Sequence, residues 1–72
     1  MTAKKRHASK LIEKVASNIK YQRMKNGLSQ ERLGDETGLA IERYESGRYD
    51  LTLTTINVLA ERFNIEPHIL LK

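Results

Sequence analysis

The sequence predicts an all-α protein, a compact five-helix bundle that contains a helix-turn-helix. Apolar residues recur at three- and four-residue spacings, as on the buried face of a helix. Capping residues and glycines separate these stretches, and we predict no strand in the chain. Seventy-two residues provide for one small core. We therefore predict a flexible basic arm over residues 1–8 and one domain over residues 9–72.

The first helix is predicted to begin at Ser9, whose hydroxyl can cap it, and to end at Asn26-Gly27. Three basic residues precede this end, where they interact favourably with the negative end of the helix dipole. The inner face of the helix is predicted from an apolar stripe at helical spacing: Leu11, Ile12, Val15, Ala16 and Ile19.

The second helix is predicted to follow Ser29, which can accept a hydrogen bond from the opening turn. Leu28 and Leu33 flank this cap at the spacing of a hydrophobic staple. Gly34 is small enough to let a second helix cross closely. Gly38 can adopt the positive φ that ends a helix without steric cost.

A third helical segment is predicted from Leu39 to Ser46, with Ile41 and Tyr44 pointing inward and Gly47 ending it. Together with the second helix it forms a helix-turn-helix, a motif whose second helix enters the DNA major groove. The next three residues, 48–50, are predicted to form a loop.

The fourth helix is predicted to be capped by Thr52 and closed by Asn64, with apolar residues at helical spacing on its inner face. Pro67 suits the first turn of a fifth, very short helix. This helix carries the apolar run Ile69-Leu70-Leu71. Two interpretations of that run stay open: it covers the core, or it offers an exposed patch to a second copy.

Charge is distributed unevenly along the chain. Residues 1–25 contain eight lysines and arginines and one glutamate, a net charge of +7, whereas residues 26–72 contain five against eight carboxylates, a net −3. A basic segment suits contact with a polyanion, and it equally suits a solvated tail. Lys4, Lys5 and Arg6 accordingly form either an arm that contacts the minor groove or phosphates, or a tail without function.

Composition excludes several classes of protein. The chain has no cysteine, so it has neither a disulfide framework nor a thiolate metal site. No apolar run approaches the roughly 20 residues that span a bilayer, and no signal-peptide core follows the basic start. We expect a cytoplasmic protein with no membrane partner.

From Ile19 to Leu71 the chain resembles the phage-repressor and Cro-like helix-turn-helix family, also called XRE, which has the lambda-repressor-like fold. The resemblance lies in these residues: Ile19, Arg23, Gly27-Leu28-Ser29-Gln30, Leu33, Gly38, Ile41, Tyr44-Glu45, Gly47, Leu53, Ile56, Leu59-Ala60, Phe63 and Ile65. One departure is clear. Family members place about five residues between the turn glycine and the isoleucine of the recognition helix, whereas only Leu39 and Ala40 stand between them here.

The resemblance implies a bacterial or phage transcription regulator that binds double-stranded DNA at an operator as a homodimer, in most cases as a repressor. It implies that Arg23 and Glu45 form a structural salt bridge between the first and third helices. It further implies that Gln30 contacts phosphate and braces the recognition helix, and that Arg48 contacts the DNA backbone.

Side-chain chemistry adds candidates of its own. Arg43 can donate a bidentate pair to guanine, and Glu42 can accept from cytosine N4. Ala40 shares their exposed region, and the free N–H groups around Ser29 attract an anion. The alternative for the three residues of the third helix is an ordinary solvent-facing side.

Other functions find little support in the sequence. His7 and His68 lie far apart, and a triad of Ser29, His68 and Asp50 has no pocket around it. We therefore predict no enzyme activity, no cofactor and no metal. The alternative function is an antitoxin or accessory module that binds a small protein partner and contacts DNA secondarily. The shortened third helix and the acidic second half favour this alternative.

Overall fold

The computed structural model describes residues 8–72, which form four α-helices and one 3-10 helix. The helices are α1 (Ser9–Lys25), α2 (Gln30–Thr37), α3 (Ile41–Glu45), α4 (Leu53–Phe63) and the 3-10 helix Pro67–Leu71. No strand occurs within this part of the chain. The all-α prediction is confirmed. The expected count of five α-helices is wrong, because the last helical segment winds as a 3-10 helix.

Helix α1 begins one residue earlier than the predicted cap requires. Ala8 is the N-cap, and the N–H of Ile12 donates to its carbonyl at 2.9 Å. Ser9 is therefore the first helical residue and makes no capping hydrogen bond, so the prediction for it is wrong. The predicted apolar stripe is buried except for Leu11, which is 46% exposed. Gly27 follows the helix with φ +68°.

The two caps that define the helix-turn-helix form as predicted. Ser29 Oγ accepts from the N–H of Arg32 at 3.0 Å. Gly38 has φ +74°, and its N–H donates to the carbonyl of Gly34 at 2.7 Å. A Cβ on Gly34 would lie 3.1 Å from the carbonyl oxygen of Leu39 in the turn and 3.9 Å from the Ile41 side chain on α3. Gly34 therefore allows a close approach of the turn as well as of the next helix.

Helix α3 is shorter than the predicted segment from Leu39 to Ser46. It contains five residues, little more than one turn, and Ala40 is its N-cap. Gly47 follows with φ +76°. Helix α3 cannot begin earlier, because Gly38 ends α2 and only two residues separate Gly38 from Ile41.

Helix α4 and the 3-10 helix close the bundle. Thr52 Oγ1 accepts from the N–H of Thr55 at 3.1 Å, and Asn64 ends α4 in the left-handed conformation at φ 58°. Asn18 Nδ2 donates to the carbonyl of Leu70 at 2.9 Å, which ties the 3-10 helix to α1. Leu70 is fully buried, whereas Leu71 is 43% exposed. The apolar run thus covers the core through one residue and leaves another at the surface.

The core draws on every helix. Its buried cluster contains Val15, Ile19, Leu28, Leu33, Ile41, Ile56, Leu59, Ala60, Phe63 and Leu70. All buried side-chain nitrogen and oxygen atoms in the described part have a hydrogen-bond partner. No helix there is long and apolar enough to cross a membrane. This core holds α2 and α3 against α1 and α4 and so fixes the two helices that carry the candidate site.

Candidate nucleic-acid interface

An ion pair beneath the surface anchors α3 to α1. Arg23 Nε donates to Glu45 Oε2 at 2.6 Å, and Arg23 Nη2 donates to Glu45 Oε1 at 3.0 Å. The two side chains are 11% and 3% exposed. Arg23 Nη1 also donates to the carbonyl of Leu28 at 2.8 Å, so one guanidinium links α1, the loop before α2, and α3.

The carboxylate of Glu45 stabilises the charged guanidinium further. The hydrogen bond to Glu45 raises the pKa of Arg23, against the opposing effect of its partial burial. The fork geometry of the arginine satisfies both carboxylate oxygens together. The structure thus brings Arg23 and Glu45 together in the arrangement that the family resemblance implies.

Gln30 extends the same network to α2. Its Nε2 donates to Glu45 Oε1 at 2.9 Å, while the residue itself is exposed at the first position of the helix. Its amide oxygen and second N–H remain available at the surface. Gln30 therefore braces α3 and faces outward beside it.

The opening turn of α2 presents backbone donors to solvent. Ser29 Oγ is occupied by the cap, and the N–H of Leu33 donates to the Ser29 carbonyl at 3.0 Å. The N–H groups of Gln30 and Glu31 have no acceptor within residues 8–72. Such groups suit an anion, although the carboxylate of Glu31 lies in the same turn and opposes one.

The outward side of α3 carries the charged candidates. Ile41 is buried and Tyr44 half-buried, so the helix packs through the face that the sequence predicts. Glu42 and Arg43 are exposed, and Ala40 is exposed at the N-cap. Both charged residues therefore point away from the core.

Arg43 meets the loop that follows α3. Its guanidinium carbon lies 5.1 Å from the centroid of the Tyr49 ring. Arg48 is exposed beside it, and its backbone N–H donates to Ser46 Oγ at 3.3 Å. These residues and Glu42 line a shallow depression of about 340 Å³. In this depression two arginines stand against one carboxylate, that of Glu42.

An acidic groove between α2 and α3 was not predicted from the sequence. It has a volume of about 520 Å³ and carries three carboxylates, Glu31, Asp35 and Glu42, around a floor that includes Gly34 and Leu39. The groove lies where the short turn passes between α2 and α3. The four-residue spacing of the two carboxylates on α2 was the available signal. Gln30 and Ala40 line the same groove, so these carboxylates lie beside two of the predicted DNA contacts and lower the local affinity for phosphate.

The remaining predicted contacts, Lys4, Lys5 and Arg6, lie outside the described residues. Tyr49 lies in the loop that the sequence predicts over residues 48–50. Its contact with Arg43 across six positions is a tertiary feature that no local pattern reveals.

Comparison with known proteins identifies the family of this arrangement. A family model described as helix-turn-helix matches residues 19–70, which is most of the chain and includes all four α-helices in whole or part. No curated protein and no solved structure gives a significant match. The match, the capped α2–glycine–α3 unit and the Arg23–Glu45 anchor agree, and the chain belongs to the XRE-type helix-turn-helix family of DNA-binding transcription regulators.

Proposed function

We propose that this domain binds a short operator in duplex DNA and acts as a repressor by occluding it. The observation that carries the proposal is the exposed pair Arg43, on the helix α3 that Glu45 anchors to the bundle, and Arg48, in the loop that follows it. An anchored helix fixes the backbone positions from which its exposed side chains project, which base recognition requires.

The residues take distinct roles in the proposed complex. Arg48 and the outward part of Gln30 bind phosphates and set the register on the duplex. Arg43 donates a bidentate pair to guanine, and Glu42 accepts from cytosine N4. Ser29 contributes through the helix start that it caps, and Ala40 lies at the leading end of α3. Lys4, Lys5 and Arg6 are proposed to add nonspecific attraction to phosphates.

We propose that the domain acts as a homodimer, because a five-residue recognition helix spans few base pairs. An apolar groove of about 220 Å³ supports this proposal. Leu11, Leu53 and Leu71 line it and are 46%, 84% and 43% exposed. Asp50 also lines it, next to the loop that carries Arg48 and Tyr49. A second copy seated there extends the DNA-binding surface and leaves the arginines uncovered.

Sedimentation of the protein tests the dimer. Leu53→Ser is expected to shift a dimer towards monomer and to weaken binding to a two-half-site duplex more than to a single half-site. Met24→Ser is the matched control, since Met24 is also an exposed apolar residue, 62% exposed, but does not line the groove. A monomer in both wild type and variant, at the concentrations that saturate DNA, would contradict the dimer.

Selection from a random pool of duplex DNA at near-physiological salt tests the main proposal. A two-fold symmetric motif is the expected result and gives the half-site spacing directly. Arg48→Ala is expected to weaken binding to all duplexes alike. It should also reduce the slope of log affinity against log salt concentration by about 0.9. Failure of the wild-type protein to retain any duplex would contradict the proposed function.

The acidic groove favours one alternative, an antitoxin or accessory module that binds a basic segment of a small protein. Its three carboxylates oppose DNA and suit lysine or arginine. Co-purification of a small partner from the native host is the first observation this alternative requires. Asp35→Asn would then weaken binding of the partner, while the retention of DNA would stay unchanged or increase.

A further inference from the structure

The contact between Arg43 and Tyr49 joins α3 to the loop beyond it. The guanidinium carbon lies 5.1 Å from the ring centroid, within the range of an attractive cation–π interaction. Both residues are exposed, and Tyr49 is 47% exposed. An arginine on a five-residue helix would otherwise sample many rotamers in water.

Core packing does not account for the position of the Tyr49 ring. The half-buried hydrophobic residues that pack against the core are Leu39, Tyr44, Leu51 and Ile65, and Tyr49 is not among them. Its ring instead lines the shallow depression together with both exposed arginines. The Tyr49 side chain therefore makes its contacts at the surface and contributes little to core packing.

The contact leaves the hydrogen-bonding edge of Arg43 unoccupied. The guanidinium carbon lies over the ring, and the guanidinium carries five N–H donors in one plane. Within residues 8–72 the Arg43 side chain makes no hydrogen bond or ion pair. The in-plane donors match the O6 and N7 acceptors of guanine, so the contact with Tyr49 restrains Arg43 while its N–H groups have no protein partner and stay available to a base.

We propose that Tyr49 is a positioning residue that holds the Arg43 guanidinium for bidentate recognition of one guanine in each half-site. The inference rests on the proposed DNA-binding function and adds a specificity determinant to it. Pre-ordering Arg43 lowers the entropy lost on binding the correct base. Phosphate contacts gain little from it, because a phosphate accepts from many guanidinium orientations.

Competition binding tests this inference with the selected duplex and with the same duplex after replacement of its guanine. The measured quantity is selectivity, the ratio of the two affinities. An exposed cation–π pair contributes about two- to five-fold, so Tyr49→Ala is expected to lower selectivity by that factor. Tyr49→Leu, which keeps bulk but has no π face, should do the same. Tyr49→Phe should retain the wild-type ratio.

Two further variants separate positioning from other roles. Tyr21→Ala is the matched control, since Tyr21 is an exposed tyrosine on α1, 62% exposed, outside the depression. In an Arg43→Ala background, Tyr49→Ala should leave selectivity unchanged because the group it positions is gone. Circular dichroism melting verifies that each variant is folded.

The contrary outcomes are distinct. An equal loss of affinity for both duplexes in Tyr49→Ala would assign Tyr49 to backbone contact or to loop structure and overturn the inference. A defect in Tyr49→Phe would assign the effect to the hydroxyl and also overturn it. Wild-type protein that retains DNA without any guanine preference overturns this inference and leaves DNA binding standing. Wild-type protein that retains no DNA overturns the proposed function itself.

Discussion

Replacement of Glu45 by alanine tests the anchor on which the recognition surface depends. The substitution removes both carboxylate oxygens that accept from Arg23, one of which also accepts from the Gln30 amide. Arg23, whose side chain is only 11% exposed, then retains only its hydrogen bond to the carbonyl of Leu28. A poorly hydrated guanidinium without a counter-charge is the costly product.

The expected loss of unfolding free energy is about 3 kcal/mol, the lower end for breaking one side of a buried ion pair. A domain of this size loses about 4–8 °C of Tm per kcal/mol, so the melting temperature should fall by roughly 12–24 °C. Glu45→Gln keeps an oxygen acceptor and the shape of the side chain but removes its charge. It should fall between wild type and alanine.

Glu42→Ala is the matched control because Glu42 is an exposed glutamate on the same short helix. Glu42 takes part in no ion pair within residues 8–72, so the loss of stability in this variant should be small. Thermal melts by circular dichroism compare the variants at one pH and salt. Melting temperatures within about 2 °C of each other for the alanine variants at 42 and 45 would refute the reasoning, on the same per-kilocalorie scale.

Three further predictions concern stability. Hydrogen bonds from Arg62 and, to a smaller extent, from Arg32 lower the pKa of Glu36. The ionised carboxylate therefore stabilises the fold above the ordinary glutamate pKa of about 4.3, and this stabilisation is lost as pH falls below that value. Glu36→Gln should therefore lose less stability than wild type between pH 5 and pH 3, and parallel acid titrations of Tm would contradict this. Leu70→Ala should cost about 2–5 kcal/mol in urea unfolding, because the side chain is fully buried, whereas a cost below about 1 kcal/mol would mean the 3-10 helix is not part of the cooperative fold. Gly38→Ala should cost about 1–2 kcal/mol from its positive φ alone, since an added Cβ meets no atom within 4 Å, and an unchanged melt would show that the turn adopts another conformation.

Local chemistry explains which parts of the fold were predictable. Ser29 and Thr52 cap their helices because each needs only a hydroxyl three residues before a backbone N–H. The positive φ of Gly38 likewise follows from the residue type and its place after an amphipathic segment. The prediction that Ser9 caps α1 was wrong because Ala8 supplies the first helical carbonyl. Capping preference alone does not decide a difference of one residue.

Features built from distant residues were not predictable without a relative. Glu36 and Arg62 pair across 26 positions on α2 and α4, and no spacing in the chain suggests that contact. The Arg23–Glu45 pair was expected only through the family resemblance. The acidic groove could not be predicted because its shape depends on how closely the shortened turn brings α3 to α2. Exposure of Leu11 likewise depends on which part of α1 the 3-10 helix covers.

Glu45 connects the stability of the domain with its proposed recognition of DNA. One carboxylate accepts from Arg23 below and from Gln30 at the surface, so α1, α2 and the end of α3 share a single acceptor. Arg43 lies two residues before Glu45 on a helix of five residues, too short to bend independently. A change that frees Glu45 from Arg23 therefore removes one of the contacts that hold the helix carrying Arg43, in addition to the burial of Ile41. Partial destabilisation at this anchor should reduce sequence selectivity before it reduces nonspecific DNA affinity, because base contacts depend on position far more than phosphate contacts do.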